Sequence, residues 1–296
     1  MFARDMKRRF NELIVGINKA IVQQDVFGLV NKINIQQVQI PGQGAFAFPR
    51  NDAKLRQFMR WLQEQVDKGL LEIIELQQVG TGIAPAWTNK YVYDSYKRGV
   101  MRARYEMKKI GMNIPGIEET GGIIIALSNP FHIDRLGVLY TRTFMELKGI
   151  TIQMDTQISR ILAQGLADGD NPRLLARKLI ATINGSGMGD LGITDTLGRF
   201  IPAARRAEML ARTEIIRAHH LATIQEYRNW AVEGVFVKAE WATAGDERVC
   251  PRCAPLQGTV WTLDQIEKMI PYHPQCRCIA LPFMQSLVTR KGILNE

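Results

Sequence analysis

Long hydrophobic runs are missing from this chain. The longest, Gly121 to Leu127, has seven residues, far short of the roughly 18–20 that a membrane-spanning helix needs. The basic start (Arg4, Lys7, Arg8, Arg9) could open a signal peptide. Asn11, Glu12, Asn18 and Lys19 interrupt the stretch from Phe10 to Val22, so no apolar core of a leader forms and synthesis in the cytoplasm is expected. No period of about 20–50 residues repeats, which excludes a solenoid. The glycine-rich stretch Gly185 to Asp190 lacks a preceding strand and a Gly-Lys-Ser/Thr, so it reads as a loop rather than a phosphate cradle. Acidic residues are in deficit: 29 Asp and Glu face 38 Lys and Arg, a formal charge of +9. That balance favours polyanionic partners. With 46% apolar residues, wholesale disorder is excluded.

The elements that are present are mostly helical. Residues 33–49 alternate apolar residues with Gln, Gly and Pro and read as an extended arm. From Asn51, Leu55, Phe58, Leu62 and Val66 recur at helical spacing, with Asn51 or Asp52 as cap. The stretch 86–110 predicts a basic helix. There Lys97, Arg98, Arg102, Arg104, Lys108 and Lys109 are opposed only by Asp94 and Glu106, and Tyr91, Tyr93, Tyr96 and Tyr105 are interleaved. Such a helix can track a phosphate backbone; equally, it can be a solvated face with tyrosines packed beneath. Helices follow over 132–148 and 150–166, then one over 172–183 capped by Asn171 with Pro172 at its first position. The longest spans 202–232, its apolar face running through Ala211, Ile215, Ala218, Leu221, Ile224, Tyr227 and Ala231. After Gly234 the period changes to two, placing Val235, Val237, Ala239 and Trp241 on one side of a strand. A short helix near 262–269 and a strand near 278–283 complete the pattern.

Cysteine is scarce and concentrated. All four lie in the final 47 residues: Cys250, Cys253, Cys276 and Cys278. Cys250-Pro251-Arg252-Cys253 is a knuckle that aims two thiolates at one point. After 19 intervening residues, His273-Pro274-Gln275-Cys276-Arg277-Cys278 offers three more donors. Structural zinc takes four such ligands, commonly from two short-spaced pairs. Either all four cysteines or three with His273 would serve. Two disulfides, or plain thiols, are the alternatives, and a reducing cytoplasm disfavours the first. Adjacent His219 and His220 project about 100° apart and cannot easily share a metal. One packed and one exposed is expected of them. His132 carries no assigned chemistry. Glu208 and Arg212 are spaced to pair. Glu214 and Asp246 could be imagined as acid and base, but no nucleophile accompanies them, so an ion-pair lattice bracing the metal loop is the expected role. No catalytic residue is assigned.

In order, Ala211-Arg212-Thr213-Glu214 through Ala222 and Tyr227, a strand ending at Trp241, Asp246-Glu247-Arg248-Val249-Cys250-Pro251-Arg252-Cys253, Gly258 and His273-Pro274-Gln275-Cys276-Arg277-Cys278 resemble the phage Mu F-like head morphogenesis family. The resemblance covers about residues 150–284. It implies a non-enzymatic minor head protein of a tailed bacteriophage, associated with the portal vertex in the virion and, before that, with procapsids in the host cytoplasm. Relatives act in head assembly and in DNA packaging or delivery. The implied partners are the portal protein, the major capsid or scaffolding protein and packaged double-stranded DNA, with no membrane. The implied ligands of a structural zinc are Cys250, Cys253, His273, Cys276 and Cys278, the choice among them open.

The fold class expected is α+β. A mainly helical N-terminal region precedes a C-terminal domain with a long helix packed on a small antiparallel sheet closed by the Cys/His cluster. The boundaries drawn are 1–125 for a basic helical and arm region, 126–170 for a helical connector, 171–284 for the head morphogenesis domain and 285–296 for a tail. A zinc-containing DNA-binding or nuclease-like protein is the alternative; no carboxylate cluster with metal-ligand spacing supports the nuclease. A transferase using Arg212 and Glu214 ranks last.

Overall fold

Local sequence chemistry sets many of the boundaries in a computed structural model, which describes residues 1–29, 49–72, 86–185, 201–231 and 237–284. The helices are α1 (Phe2–Asn18), α2 (Pro49–Gly69), α3 (Asn89–Lys109), α4 (Gly122–Leu127), α5 (Pro130–Ala167), α6 (Pro172–Asn184), α7 (Ala203–Asn229) and α8 (Leu263–Met269). The strands are β1 (Val237–Ala242), β2 (Val260–Trp261) and β3 (Ile279–Met284). At α6 the Asn171 side chain accepts the Leu174 N–H at 2.9 Å, Pro172 opens the helix, and Gly185 closes it at φ 87°. Each feature satisfies or omits a backbone group that a helix end leaves orphaned. Thr262 and Gln265 form a reciprocal capping box on α8.

Three expectations are corrected. α2 begins at Pro49, so Asn51 and Asp52 lie within its first turn rather than before it. The two helices expected over 132–148 and 150–166 are one helix of 38 residues. Gly149 does not break it, because a single glycine costs only about 1 kcal/mol against alanine and Leu147, Met154, Ile158 and Leu162 are all fully buried around it. Glu208 pairs with Arg205 at 3.4 Å, while Arg212 turns to Gln275. Nearly all of the arm at 33–49, Val235 and most of the 185–190 loop lie outside the described residues.

The chain divides into two compact units, both discontinuous in sequence. The first comprises residues 1–76, 84–87 and 142–211. Its α1 buries Phe2, Met6, Phe10, Leu13 and Ile17 as one stripe. Arg9 lies 4.2 Å from the centroid of the Trp87 ring and pairs with Glu72 at 2.7 Å.

The second unit comprises residues 77–83, 88–141 and 212–296. Its three strands are ordered β2-β1-β3, all antiparallel, with Ala239 opposite Trp261 and Trp241 opposite Ala280. Ala239 and Trp241 are fully buried on one side, as the alternation anticipates. They join Ala103 and Met107 of α3, Ile224 and Tyr227 of α7, Ile266 of α8, and Cys253, Cys276 and Cys278 in one core. The Tyr227 hydroxyl donates to the Ala280 carbonyl at 3.2 Å, fastening α7 to β3. A second core joins Val92, Tyr96 and Val100 of α3 to Leu136 and Leu139 of α5 and Ala218 and Ala222 of α7. Here Gly99 is obligatory. A Cβ at that position would lie 2.3 Å from the His219 carbonyl oxygen, so no other residue lets α3 and α7 approach this closely. Together these elements make an α+β fold whose small sheet is closed by the cysteine and histidine cluster.

Candidate metal centre

The knuckle is built by its own backbone. Gly245 adopts φ 68°, the Asp246 side chain accepts the Arg248 N–H at 3.1 Å, and the Cys253 and Ala254 N–H groups both donate to the Cys250 carbonyl at 3.0 Å. This tight turn places the Cys250 and Cys253 sulfurs on the same side. Opposite it, the Cys276 N–H closes a turn onto the His273 carbonyl at 3.1 Å. Gln275, at the tip, sits at φ 61°, a region that non-glycine residues rarely adopt. α7 holds it there: the Gln275 N–H donates to the Thr213 hydroxyl at 3.0 Å and Arg212 donates to the Gln275 side-chain oxygen at 3.1 Å.

Between these two turns the donors converge. His273 Nε2 lies 3.1 Å from the Cys250 sulfur and 3.2 Å from the Cys253 sulfur. The other ring nitrogen, Nδ1, is 2.8 Å from the Pro274 carbonyl oxygen. A carbonyl only accepts, so Nδ1 carries a proton and Nε2 is the ring nitrogen turned towards the sulfurs. Metal-ligating histidines are held in this way by their outer nitrogen. Two groups of donor atoms, Cys250 with Cys253 and His273, and Cys253 with Cys276 and Cys278, each lie within 4.8 Å of one another and share Cys253. Cys253, Cys276 and Cys278 are buried; Cys250 and His273 stand at the mouth of a recess also lined by Arg248 and Arg277. The four cysteines are free thiols.

Electrostatics fit a cation. Burial and the neighbouring thiols push the Cys253 thiol above its ordinary value, and burial together with Cys276 does the same to Cys278. Sulfurs gathered this closely repel as thiolates, and a divalent cation among them reverses that penalty by displacing the protons. Soft thiolates with one neutral imidazole suit a metal of the zinc type. These Cys and His groups can therefore hold a metal ion.

An exposed clasp joins the two turns from outside. Asp246 takes both guanidinium nitrogens of Arg277, which stands between Cys276 and Cys278, at 2.6 Å each. Arg248 adds a contact at 3.1 Å. Glu214, buried on α7, pairs with Arg217 at 3.1 Å.

The basic helix divides its residues between two faces. Arg98, Arg102, Lys108 and Lys109 are exposed, Lys97 is half-buried, and Tyr105 is 65% exposed beside them. Tyr91 and Tyr96 are buried. Arg104 is buried too, and it opens a network that no sequence motif marks. Its Nε donates to Glu226 at 2.9 Å and its Nη1 to the Thr120 hydroxyl at 2.8 Å. Glu226 also contacts His132 Nε2 at 3.1 Å and accepts from the Trp230 indole at 2.9 Å. The far nitrogen of His132 meets the Tyr96 hydroxyl at 2.8 Å. Burial raises the Glu226 carboxyl, but the bonds from His132, Arg104 and Trp230 outweigh it and the net shift is downward. His220 is buried, with Nε2 3.0 Å from the Ile266 carbonyl, and His219 is half-buried.

A helix-rich α+β fold carrying a Cys/His knuckle braced by its longest C-terminal helix defines the class. Residues 156–281 match the family described as Phage Mu protein F like protein, a span that takes in the whole cluster. Over this span the chain is similar to the phage Mu F-like proteins. No curated protein and no solved structure matches it.

Proposed function

We propose that this protein is a minor head component of a tailed phage, bound at the portal vertex and acting in procapsid assembly and in DNA packaging or delivery, with no catalytic role. The observation that carries this reading is the family match over residues 156–281. The Cys/His cluster is read as a structural zinc site, a clasp that contributes folding energy directly. No described helix is long and apolar enough to cross a membrane, in keeping with a particle component. The partner face is the exposed stripe of α3. Arg98, Arg102, Tyr105 and Lys109 follow one another at steps of four, three and four, so they share one side of the helix. Arg98 and Arg102 project enough positive field to help lower the pKa of the half-buried His219, after burial itself. That stripe suits packaged DNA or an acidic portal surface.

The DNA-binding alternative draws on the same stripe. Its nuclease form finds no support, since both donor groups among the described residues are thiol-based and hydrolytic magnesium sites use oxygen ligands.

The test is co-expression with the portal protein of the same phage, followed by size-exclusion chromatography and cross-linking. Co-elution with cross-links to α3 supports the reading; separate elution and absence from purified procapsids refute it. A salt titration on duplex DNA separates the alternative. Replacing Arg98, Arg102 and Lys109 with Gln should flatten the salt dependence by up to about 0.9 per lost phosphate contact.

A further inference from the structure

Trp241 is fully buried, yet its indole N–H has no hydrogen-bond partner among the described residues, sulfur included. A buried donor without a partner is costly, and native interiors rarely tolerate one. The register of β1 on β3 says what this donor addresses. Trp241 lies opposite Ala280, so Cys278, two residues before Ala280, is its diagonal neighbour on the same face. That distance is within reach of an aromatic side chain. Both residues lie in the same core. Tyr272 fixes the indole from the side, ring centroids 5.8 Å apart at 87°, and Arg252 of the knuckle lies 5.2 Å over the Tyr272 ring.

We infer that Trp241 is a positioning residue of the metal centre, donating its indole N–H to a metal-bound Cys278 thiolate and so placing Cys278 in the ligand set. A thiol sulfur is a weak acceptor, whereas a thiolate takes a charge-assisted hydrogen bond. The bond is fully made only when the metal displaces the Cys278 proton to solvent. His273 is oriented from its outer nitrogen by the Pro274 carbonyl, and Cys278 is oriented from behind by Trp241. Each half of the cluster thus has its own support. The inference rests on the metal reading above.

Cobalt(II) added to the reduced full-length protein tests it, because thiolate-to-cobalt charge-transfer bands report each sulfur. Trp241→Phe keeps a buried ring and removes the N–H. It should bind cobalt about tenfold to a hundredfold more weakly, as outer-shell losses do, and shift the charge-transfer band to lower energy. In a Cys278→Ser background, Trp241→Phe should add no further loss of affinity. Should Trp241→Phe fail to fold, the wild-type protein loaded with an NMR-active cadmium isotope replaces it, and the indole proton should show scalar coupling to the metal through the sulfur. Bound cobalt with unmoved bands and unchanged affinity in Trp241→Phe, or no coupling to cadmium, overturns the assignment alone. A wild-type protein that takes up no cobalt overturns the metal reading as well.

Discussion

Asp246 and Arg277 meet in a two-point contact, each carboxylate oxygen 2.6 Å from a guanidinium nitrogen. The pair joins the turn before Cys250 to the residue between Cys276 and Cys278. It therefore ties together the two segments that carry the Cys and His donors. A planar fork of this kind fixes direction as well as distance.

Removing this clasp should loosen the metal loop without unfolding the protein. Arg277→Gln is expected to release metal to a chelator faster than wild type, with little change in the unfolding of the metal-free chain. The bonds from Arg277 hold the Asp246 carboxyl well below the usual carboxylate range, against the opposing effect of desolvation. The depressed folded value means the clasp is complete above the ordinary carboxylate pKa and is lost only as the solution becomes strongly acidic. Stopped-flow chelation across pH checks both points. Equal release rates for wild type and Arg277→Gln would show that the clasp does not hold the loop.

Arg104 leads to a larger effect. Breaking a buried ion pair by deleting one partner commonly costs about 3–5 kcal/mol, because the other charge stays buried. Arg104→Ala is expected to destabilise the second unit by about that much in urea, as is Glu226→Ala. Each should cost far more than Arg98→Ala, a change at an exposed position of the same helix. A loss below about 1 kcal/mol for Arg104→Ala, the range of surface pairs, would contradict the network.

The contrast between Arg98 and Arg104 marks how far the sequence could be read. Chemistry carried within a few residues was legible: the Asn171 and Pro172 start of α6, the alternation through Ala239 and Trp241, the Cys-x-x-Cys knuckle and the His-Pro-Gln-Cys-Arg-Cys segment. Partners far apart in sequence were not. Glu226 lies 122 residues from Arg104 and 94 from His132, and no local pattern joins them. One signal was available: Arg104 falls four residues after Val100 on the face that also carries Tyr96 and Met107, so a cation there needed an interior partner. The continuity of α5 through Gly149 was hidden for a similar reason, since packing outweighed a weak local preference. Around the Cys/His cluster, the donors could be named from spacing, but the Pro274 and Thr213 contacts that aim them depend on the folded loop.

Acid should destabilise the protein in two stages. Burial lowers His219 and His220 from 6.5 to about 4. The unfolded chain then takes up these protons first, and stability falls as the pH drops from about 6.5 towards 4. Glu267 is pushed up by burial, but bonds from Arg228 and Arg135 outweigh this and hold it at about 2, against an ordinary 4.5. Its contribution is present above about 4.5 and is lost as the pH falls towards 2. His220→Gln, which can still donate to the Ile266 carbonyl, should flatten the first stage, and Glu267→Gln the second. Urea unfolding at stepped pH reads both; slopes unchanged from wild type would contradict the assignment.

The most direct test of the metal clasp is the zinc content of protein purified under reducing conditions, measured by elemental analysis before and after chelation, with a melting curve for each sample. The expected result is about one zinc per chain, with the unit containing the cluster melting at lower temperature once the metal is removed. Chains without zinc, carrying four free thiols and melting identically with and without chelator, would contradict the central claim that this cluster is held together by a metal.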